Sequence, residues 1–185
     1  MKWTQTDVRQ IGIEGIRPLK RKINRDVRGF LVETLRSDDT DVNGAHFRMS
    51  YCSLTMPGEF RDRDRWHVHR VQTDRFIVVL GEMTLALLDG REDSSTQGRL
   101  EVIRMSGCQF PGQQGSGADP AETYLVPIPP GVLHCVGNLS SAPFLLQNYP
   151  TELYNPSDEG RVPFSQRPIE PGGSPFAWTE VERLP

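Results

Sequence analysis

One stretch of the sequence, residues 66–81, limits most strongly what this chain can fold into. His67 and His69 are separated by one residue, and Asp74 follows them at the start of an apolar run that ends at Gly81. Alternate residues of a β-strand project from the same face, so both imidazoles can face a single centre. The apolar run and the glycine predict a second strand and a turn. The stretch therefore indicates a β-protein that brings two histidines and a carboxylate to one site.

A second stretch, residues 129–138, carries a third histidine. Its fixed positions are spaced as Pro129-x-Gly131-x-x-His134-x-x-x-Asn138. Three of the four histidines of the chain lie in the two stretches, and the fourth, His46, lies outside both. This concentration predicts that the two stretches contribute to the same site.

Together the two stretches resemble the two signature boxes of the cupin superfamily. The second box matches at every fixed position, whereas the first has Asp74 where glutamate is usual. The resemblance implies an all-β fold, the double-stranded β-helix of a jelly-roll cupin. Many short strand-like runs with glycine and proline between them agree with that fold class.

Strand-like runs occur along most of the chain. Residues 20–26 are charged and predict a connection, while residues 76–88 predict a hairpin around Gly81 and Glu82. The runs that predict strands cover residues 11–19, 28–36, 47–55, 76–80, 83–88, 99–105, 123–128 and 144–149.

Length and composition predict one domain over residues 1–185, with a core at about 11–164 and a C-terminal tail at 165–185. The formal net charge is −3 and no basic stripe is present, which argues against nucleic acid as a partner. No apolar run approaches the roughly 18 residues that a membrane-spanning helix needs. Without an apolar segment near the N-terminus, and with three dispersed cysteines, we expect a cytoplasmic protein with no membrane partner.

A closer resemblance covers residues 17–164: the chain is similar to the dTDP-4-dehydrorhamnose 3,5-epimerase (RmlC-like) family of cupins. The similarity is carried by four segments in the right order, which are residues 26–33 (Asp-Val-Arg-Gly-Phe-Leu-Val-Glu), the His67 region, residues 89–98 and residues 128–156. The resemblance implies an epimerase or isomerase that acts on a nucleotide-activated 4-keto-6-deoxy sugar. It also implies a homodimer, and no cofactor.

The family's mechanism assigns roles to several positions of this sequence. A histidine removes the proton next to the C4 ketone, a cation steadies the enolate, and a tyrosine on the opposite face returns a proton. The resemblance makes His67 the base and His134 a second histidine of the substrate pocket. It makes Arg28 and Glu33 contacts to the nucleotide and substrate.

The position of the catalytic tyrosine departs from the family pattern. It falls on Asn148, and Tyr149 follows one residue later. One step along a strand turns a side chain to the opposite face unless a bulge intervenes. Tyr149 and Tyr154 are therefore the candidate acids.

The cationic positions depart from the pattern as well. The arginine before the base is displaced by one residue to Arg65, and no lysine is evident near Asp74. Arg75 or Arg70 is the candidate fixed cation, and Arg65 and Arg75 are expected to contact the substrate. Met49 and Tyr51 replace a glutamine and an asparagine of the family, and no match is evident for its late aspartate that supports the base.

Two other interpretations of the same residues remain open. His67, His69, Asp74 and His134 form a ligand set for a divalent transition metal, Fe, Mn, Ni or Zn, which would support dioxygenase or metal-assisted isomerase chemistry. Asp74 is one methylene shorter than glutamate and can instead orient a histidine. The third interpretation is a non-catalytic cupin that only binds a sugar or nucleotide.

Overall fold

The computed structural model describes residues 3–39, 47–109, 120–167 and 174–181. In these ranges the chain forms β-strands and short 3₁₀ helices, and no α-helix. The strands are β1 (Thr6–Asp7), β2 (Leu19–Asp26), β3 (Gly29–Val32), β4 (Tyr51–Thr55), β5 (Arg65–His69), β6 (Asp74–Leu80), β7 (Glu82–Asp89), β8 (Leu100–Ser106), β9 (Glu122–Ile128), β10 (Val132–Gly137), β11 (Phe144–Asn148) and β12 (Glu159–Pro163). The 3₁₀ helices cover Val8–Gln10, Phe164–Gln166 and Trp178–Glu180. His46 lies outside the described residues.

The strands form two six-stranded sheets with an apolar core between them. The first sheet has the order β1-β8-β7-β10-β5-β12, and the second has the order β3-β2-β9-β6-β11-β4. All neighbouring strands are antiparallel except β1 and β8. The predicted all-β jelly-roll fold is confirmed.

The turn at Gly81 joins the two sheets, and this corrects the predicted hairpin. Strands β6 and β7 both form, but β6 pairs with β9 and β11, whereas β7 pairs with β8 and β10. Gly81 has a φ of 75°, and a Cβ atom there would lie 2.2 Å from the carbonyl oxygen of Pro143. Only glycine fits this close crossing, which sends the chain from one wall of the barrel to the other.

Strand β2 corrects a second prediction. Residues 20–26 were expected to form a charged connection, yet β2 pairs with both β3 and β9. Its buried positions alternate, because Arg21 and Ile23 share one face of the strand, the outer face of the second sheet, where Arg21 is paired with Asp39. Because one of the alternating buried positions is a paired arginine, the sequence shows no alternation of hydrophobic residues, and the strand is not detected from hydrophobicity. Residues 11–18, predicted as an edge strand, form none, and Gly15 lies in the left-handed region.

Alternation along β10 shows how the fold separates its interior from its outer face. Val132 and Val136 belong to the core between the sheets, whereas Leu133 and Cys135 pack on the outer face of the first sheet. His134 lies between the two valines and therefore faces the interior. Its ring contacts Phe76 of the second sheet edge-on at 5.7 Å between centroids. The histidines thus occupy part of the same interior that the apolar core fills.

The outer face of the first sheet is covered by residues that follow β12. Trp66 of β5 contacts Phe164 and Phe176, with ring centroids 4.9 and 5.1 Å apart, and Phe176 contacts Trp178 at 5.1 Å. Trp66, Phe164, Phe176 and Trp178 are all buried. Part of the predicted tail, residues 174–181, is therefore integrated into the fold by aromatic packing.

No helix in the described part of the chain is long and apolar enough to span a bilayer.

We expect Phe176→Ala to lower the free energy of unfolding by about 3–5 kcal/mol, because truncation of a buried phenylalanine removes apolar contacts and leaves a cavity. Phe176 is 2% exposed. Denaturant unfolding followed by tryptophan fluorescence measures the change. The control is Phe47→Ala, since Phe47 is 64% exposed and its truncation should change stability by no more than about 0.5 kcal/mol. Equal effects of the two substitutions would contradict a stabilising role for the C-terminal segment.

Candidate active site

Three histidines from two neighbouring strands form one cluster inside the barrel. His67 and His69 lie on the same face of β5, and His134 on β10 is the register partner of His67. The ring centroids of His67 are 4.6 Å from His69 and 5.0 Å from His134. The side chains of His69 and His134 are 10% and 3% exposed, and that of His67 is 18% exposed. The prediction that the two sequence boxes meet at one site is confirmed, and His67 is the most accessible of the three.

Asp158 holds the connection after β5 in place. Its Oδ1 accepts hydrogen bonds from the backbone nitrogens of Arg70 and Val71 at 2.9 and 2.7 Å, and its Oδ2 accepts one from Gln72 at 3.1 Å. The same Oδ2 lies 3.2 Å from Nδ1 of His69. Donors converging on one carboxylate lower the pKa of Asp158 and outweigh the effect of its burial. Asp158 therefore fixes both the connection and the orientation of His69.

Asp74 is the second carboxylate of the cluster. Its Oδ1 accepts hydrogen bonds from Nε2 of Gln72 and Nδ2 of Asn148 at 2.9 and 2.8 Å. Its Oδ2 lies 3.5 Å from Nε2 of His69 and 3.3 Å from Nε2 of His134. Burial would raise the pKa of Asp74, but the two histidines outweigh burial and hold that pKa well below its usual range. Asp74 is thus a buried anion that orients histidines, the role its short side chain favours.

His67 and His69 have opposite protonation tendencies although they are two residues apart. Burial, together with the neighbouring rings of His134 and His69, lowers the pKa of His67 to about 3. Burial also acts to lower the pKa of His69, but Asp74 and Asp158 on its two sides outweigh it and raise that pKa. At neutral pH His67 is consequently a neutral imidazole, the form that can accept a proton.

Nε2 of His67 is available for chemistry. It makes no hydrogen bond with the described residues and lies 3.5 Å from Oε1 of Glu159. Glu159 is paired with Arg161, the residue opposite His67 in the register of β12 with β5. Arg161 also pairs with Asp62. The neutral His67 therefore lies beside the carboxylate of Glu159, and Arg161 is its register partner on the neighbouring strand.

Two of the four side chains in the alternative metal set, His69 and Asp74, are engaged by neighbouring side chains. Nδ1 of His69 is engaged by Asp158, and its Nε2 lies 3.1 Å from the amide nitrogen of Gln72. Oδ1 of Asp74 accepts hydrogen bonds from Gln72 and Asn148, and its Oδ2 lies against His69 and His134. Across the described ranges, no group of three or more histidine, cysteine or acidic side chains is placed to hold a metal ion. The metal interpretation stays an alternative prediction.

The predicted substrate contacts Arg28 and Glu33 lie in an exposed region. Their side chains are 85% and 62% exposed, and they pair with Asp26 and Arg36. Within this chain, none of these ion pairs involves the histidine cluster. Their contact with substrate stays a prediction.

Arg65 lies on the histidine face of β5, at the end of the strand. Its side chain is 48% exposed and forms two hydrogen bonds to the neighbouring Asp64, at 2.7 and 2.9 Å. Arg65 is therefore placed at the rim of the site, and its contact with substrate also stays a prediction.

The structure corrects the assignments of Arg75 and Tyr149. Asn148 faces the interior, so the next residue, Tyr149, points to the outer face, where its hydroxyl lies 2.5 Å from Oγ1 of Thr34. Arg75 lies on that same face and donates a hydrogen bond from Nε to the carbonyl oxygen of Tyr149. Tyr154 is 72% exposed. Arg75, Tyr149 and Tyr154 therefore lie outside the histidine cluster, and the role of Arg70 stays a prediction.

Sequence reasoning missed Asp158 and Glu159, which support His69 and His67. The signal was the acidic pair Asp158-Glu159, which follows Pro156 after one residue. It was overlooked because these residues are distant from the histidines in sequence and meet them only through the pairing of β12 with β5. It also missed Tyr51, whose hydroxyl accepts a hydrogen bond from Asn148 at 2.9 Å. The arrangement brings a neutral imidazole, a buried anion and polar donors together in the interior between the two sheets.

Comparisons with solved structures find the same fold. A dTDP sugar isomerase from Desulfovibrio desulfuricans G20 matches with a TM-score of 0.67 and 24% identity, over 82% of this chain and 85% of that chain. An epimerase from Legionella pneumophila, solved in complex with dTDP-4-keto-L-rhamnose, matches with a TM-score of 0.64 and 23% identity, over 80% of this chain and 73% of that chain. At these identities the matches establish the fold.

Sequence relatives extend the comparison. A search of protein-family models finds no match. The spore coat polysaccharide biosynthesis protein SpsL of Bacillus subtilis is 31% identical over 85% of this chain and 93% of its own length. The probable low-salt glycan biosynthesis epimerase Agl13 of Haloferax volcanii is 36% identical over 77% of this chain and 83% of its own length. Together with the jelly-roll fold and the buried histidine cluster, this similarity shows that the chain belongs to the dTDP-4-dehydrorhamnose 3,5-epimerase (RmlC-like) family of cupins.

Proposed function

We propose that this protein epimerises a nucleotide-activated 4-keto-6-deoxy sugar at a carbon next to the ketone. The observation that carries the proposal is His67, a neutral and largely buried imidazole whose Nε2 makes no hydrogen bond with the described residues. Solved neighbours of the same fold include a 4-keto-6-deoxy sugar epimerase and an enzyme bound to dTDP-4-keto-L-rhamnose, which supports this substrate class.

His67 acts as the general base in this proposal. It takes the proton from the carbon next to the ketone, and the electrons of the broken C–H bond delocalise onto the ketone oxygen. Its low pKa keeps the imidazole unprotonated but makes it a weak base, so the enolate must be stabilised by a nearby charge or donor. Burial of the cluster strengthens such electrostatic stabilisation.

Arg161 is the cation that we assign to the enolate. It is the register partner of His67 on β12, and its charge contributes to lowering the pKa of His67, which indicates proximity. Glu159 and Asp62 pair with its guanidinium and fix its position. A fixed cation on this strand would compensate for the lysine that the sequence lacks near Asp74.

The proposed reaction uses no metal and no organic cofactor. Asp158 engages Nδ1 of His69, and Nε2 of His67 is left without a hydrogen bond from the described residues, which supports a role for His67 as an organic base. A non-catalytic cupin that only binds a sugar would have the same fold, and a measurement of turnover distinguishes it from the enzyme proposed here.

We also propose that the protein is a homodimer that uses the hairpin formed by β2 and β3. Strand β3 is at the edge of the second sheet. Val27 at the turn is fully exposed and Leu31 is 61% exposed, so the hairpin presents apolar side chains next to Arg28. An unpaired edge with apolar side chains is typical of a surface that a second chain covers. A cytoplasmic location rests on the sequence alone and stays a prediction.

We expect His67→Gln to lower solvent deuterium incorporation into dTDP-4-keto-6-deoxyglucose by at least about 100-fold, because general-base catalysis contributes roughly 10²–10⁴-fold. Proton NMR of the sugar in D₂O measures the exchange, and pre-treatment with EDTA should leave the wild-type rate unchanged. Arg9→Gln is the control, since Arg9 is an exposed residue beside β1. Full exchange in His67→Gln would exclude His67 as the base, and absence of exchange in the wild-type protein would favour the binding module.

We expect the free energy of unfolding to fall as the pH drops from about 6.5 towards 4, by up to about 1 kcal/mol per pH unit, through His67. In this window the unfolded chain binds a proton on His67, whereas the folded chain does not, because the folded pKa is about 3. His69 has the opposite sign: its raised folded pKa adds stability below 6.5 that is lost as the pH rises through that folded value. Urea unfolding at a series of pH values measures both slopes. The slope below pH 6.5 should become smaller in His67→Gln, and an unchanged slope would contradict the assignment.

We expect Leu31→Asp to convert the dimer into a monomer, because a carboxylate cannot be buried unpaired in an apolar interface. Size-exclusion chromatography with light scattering measures the mass. Leu153→Asp is the matched control, since Leu153 is 60% exposed, as Leu31 is at 61%, and lies outside the hairpin. A monomeric wild-type protein, or equal effects of both substitutions, would contradict the proposed interface.

A further inference from the structure

The position expected for the catalytic acid cannot supply a proton. Asn148 lies there, and a carboxamide does not act as an acid at physiological pH. The chain has four tyrosines, and all four lie in the described residues. Their hydroxyl groups can therefore be compared directly.

Two of the four tyrosine hydroxyls contact groups outside the histidine cluster, and a third tyrosine is largely exposed. That of Tyr149 contacts Thr34 on the outer face, and that of Tyr124 donates a hydrogen bond to Glu122 at 2.5 Å. Tyr154 is 72% exposed on the segment before β12. The fourth, Tyr51, contacts the residue that occupies the expected acid position.

Tyr51 reaches the site from the neighbouring strand. Strand β4 pairs with β11, and Tyr51 is the register partner of Asn148, so their side chains share the interior face. Nδ2 of Asn148 donates a hydrogen bond to the Tyr51 hydroxyl at 2.9 Å and another to Asp74 at 2.8 Å. The Tyr51 oxygen accepts from Asn148, and its own O–H proton remains available for donation.

The environment keeps Tyr51 protonated. Tyr51 is 43% exposed; its partial burial and the negative charge of Asp74 raise its pKa, and they outweigh the hydrogen bond from Asn148, which acts in the opposite direction. Tyr51 belongs to the second sheet and His67 to the first, so the two groups lie on opposite walls of the barrel. A planar enolate between the walls would present one face to each group.

We propose that Tyr51 is the catalytic acid, which returns a proton to the enolate carbon from the wall opposite His67. The proposal rests on the proposed epimerase function. His67 takes the proton of the broken C–H bond, and the electron pair of the enolate then forms a new C–H bond with the Tyr51 proton on the other face, which inverts the carbon. The products are an imidazolium at His67 and a phenolate at Tyr51, which Asn148 stabilises by its hydrogen bond. Proton exchange with water restores both groups.

The test compares wild type, Tyr51→Phe and Tyr124→Phe with dTDP-4-keto-6-deoxyglucose in D₂O. Tyr51→Phe should reduce formation of the inverted product by at least about 100-fold. Deuterium should still enter the substrate with retained configuration, because His67 can remove a proton and return a deuteron on its own face. Tyr124→Phe should leave both rates at the wild-type level. Thermal unfolding checks that each variant is folded.

The possible outcomes separate this inference from the function on which it rests. Inversion at the wild-type rate in Tyr51→Phe, or loss of inversion in Tyr149→Phe instead, would overturn the role of Tyr51 and leave the epimerase intact. Absence of both exchange and inversion in the wild-type protein would overturn the epimerase and Tyr51 with it. Loss of inversion with retained exchange, confined to Tyr51→Phe, supports both.

Discussion

The site depends on the two carboxylates that hold His69. Asp158 and Asp74 are buried, and burial of an uncompensated carboxylate is costly, so each must be surrounded by donors. Asp158 takes three of its donors from the backbone that connects β5 of the first sheet to β6 of the second. Asp158, which directly precedes β12, therefore holds in place the connection between the first sheet and the second. The orientation of His69 and the position of Asp74 follow from that fixed connection.

The same electrostatic arrangement gives His67 and His69 different protonation tendencies. A histidine enclosed by two carboxylates favours its charged form, whereas a buried histidine next to other imidazoles favours its neutral form. His67 and His69 differ in their partners and not in their residue type. Environment, set by strand register, makes His67 the neutral imidazole that we propose as the base, and this is the usual way in which a protein obtains different acid and base roles from similar side chains.

The sequence predicted the fold class and the meeting of His67, His69 and His134, because those signals are local: a period of two and two compact boxes. It predicted strands β6 and β7 but not their assignment to different sheets, since the pattern of a strand does not name its partner. The acidic residues Asp158 and Glu159 and the contact between Tyr51 and Asn148 depend on register between distant segments, which local patterns do not encode. Period-two alternation did correctly place Tyr149 on the opposite face from residue 148.

The two faces of strand β5 have different contacts: His67 belongs to the histidine cluster on one face, and Trp66 packs against aromatic residues on the other. His67 follows Trp66, and Trp66 is clamped by Phe164 and Phe176, which come after β12. A displacement of residues 174–181 would therefore shift Trp66 and with it the backbone of His67, without any substitution within the histidine cluster.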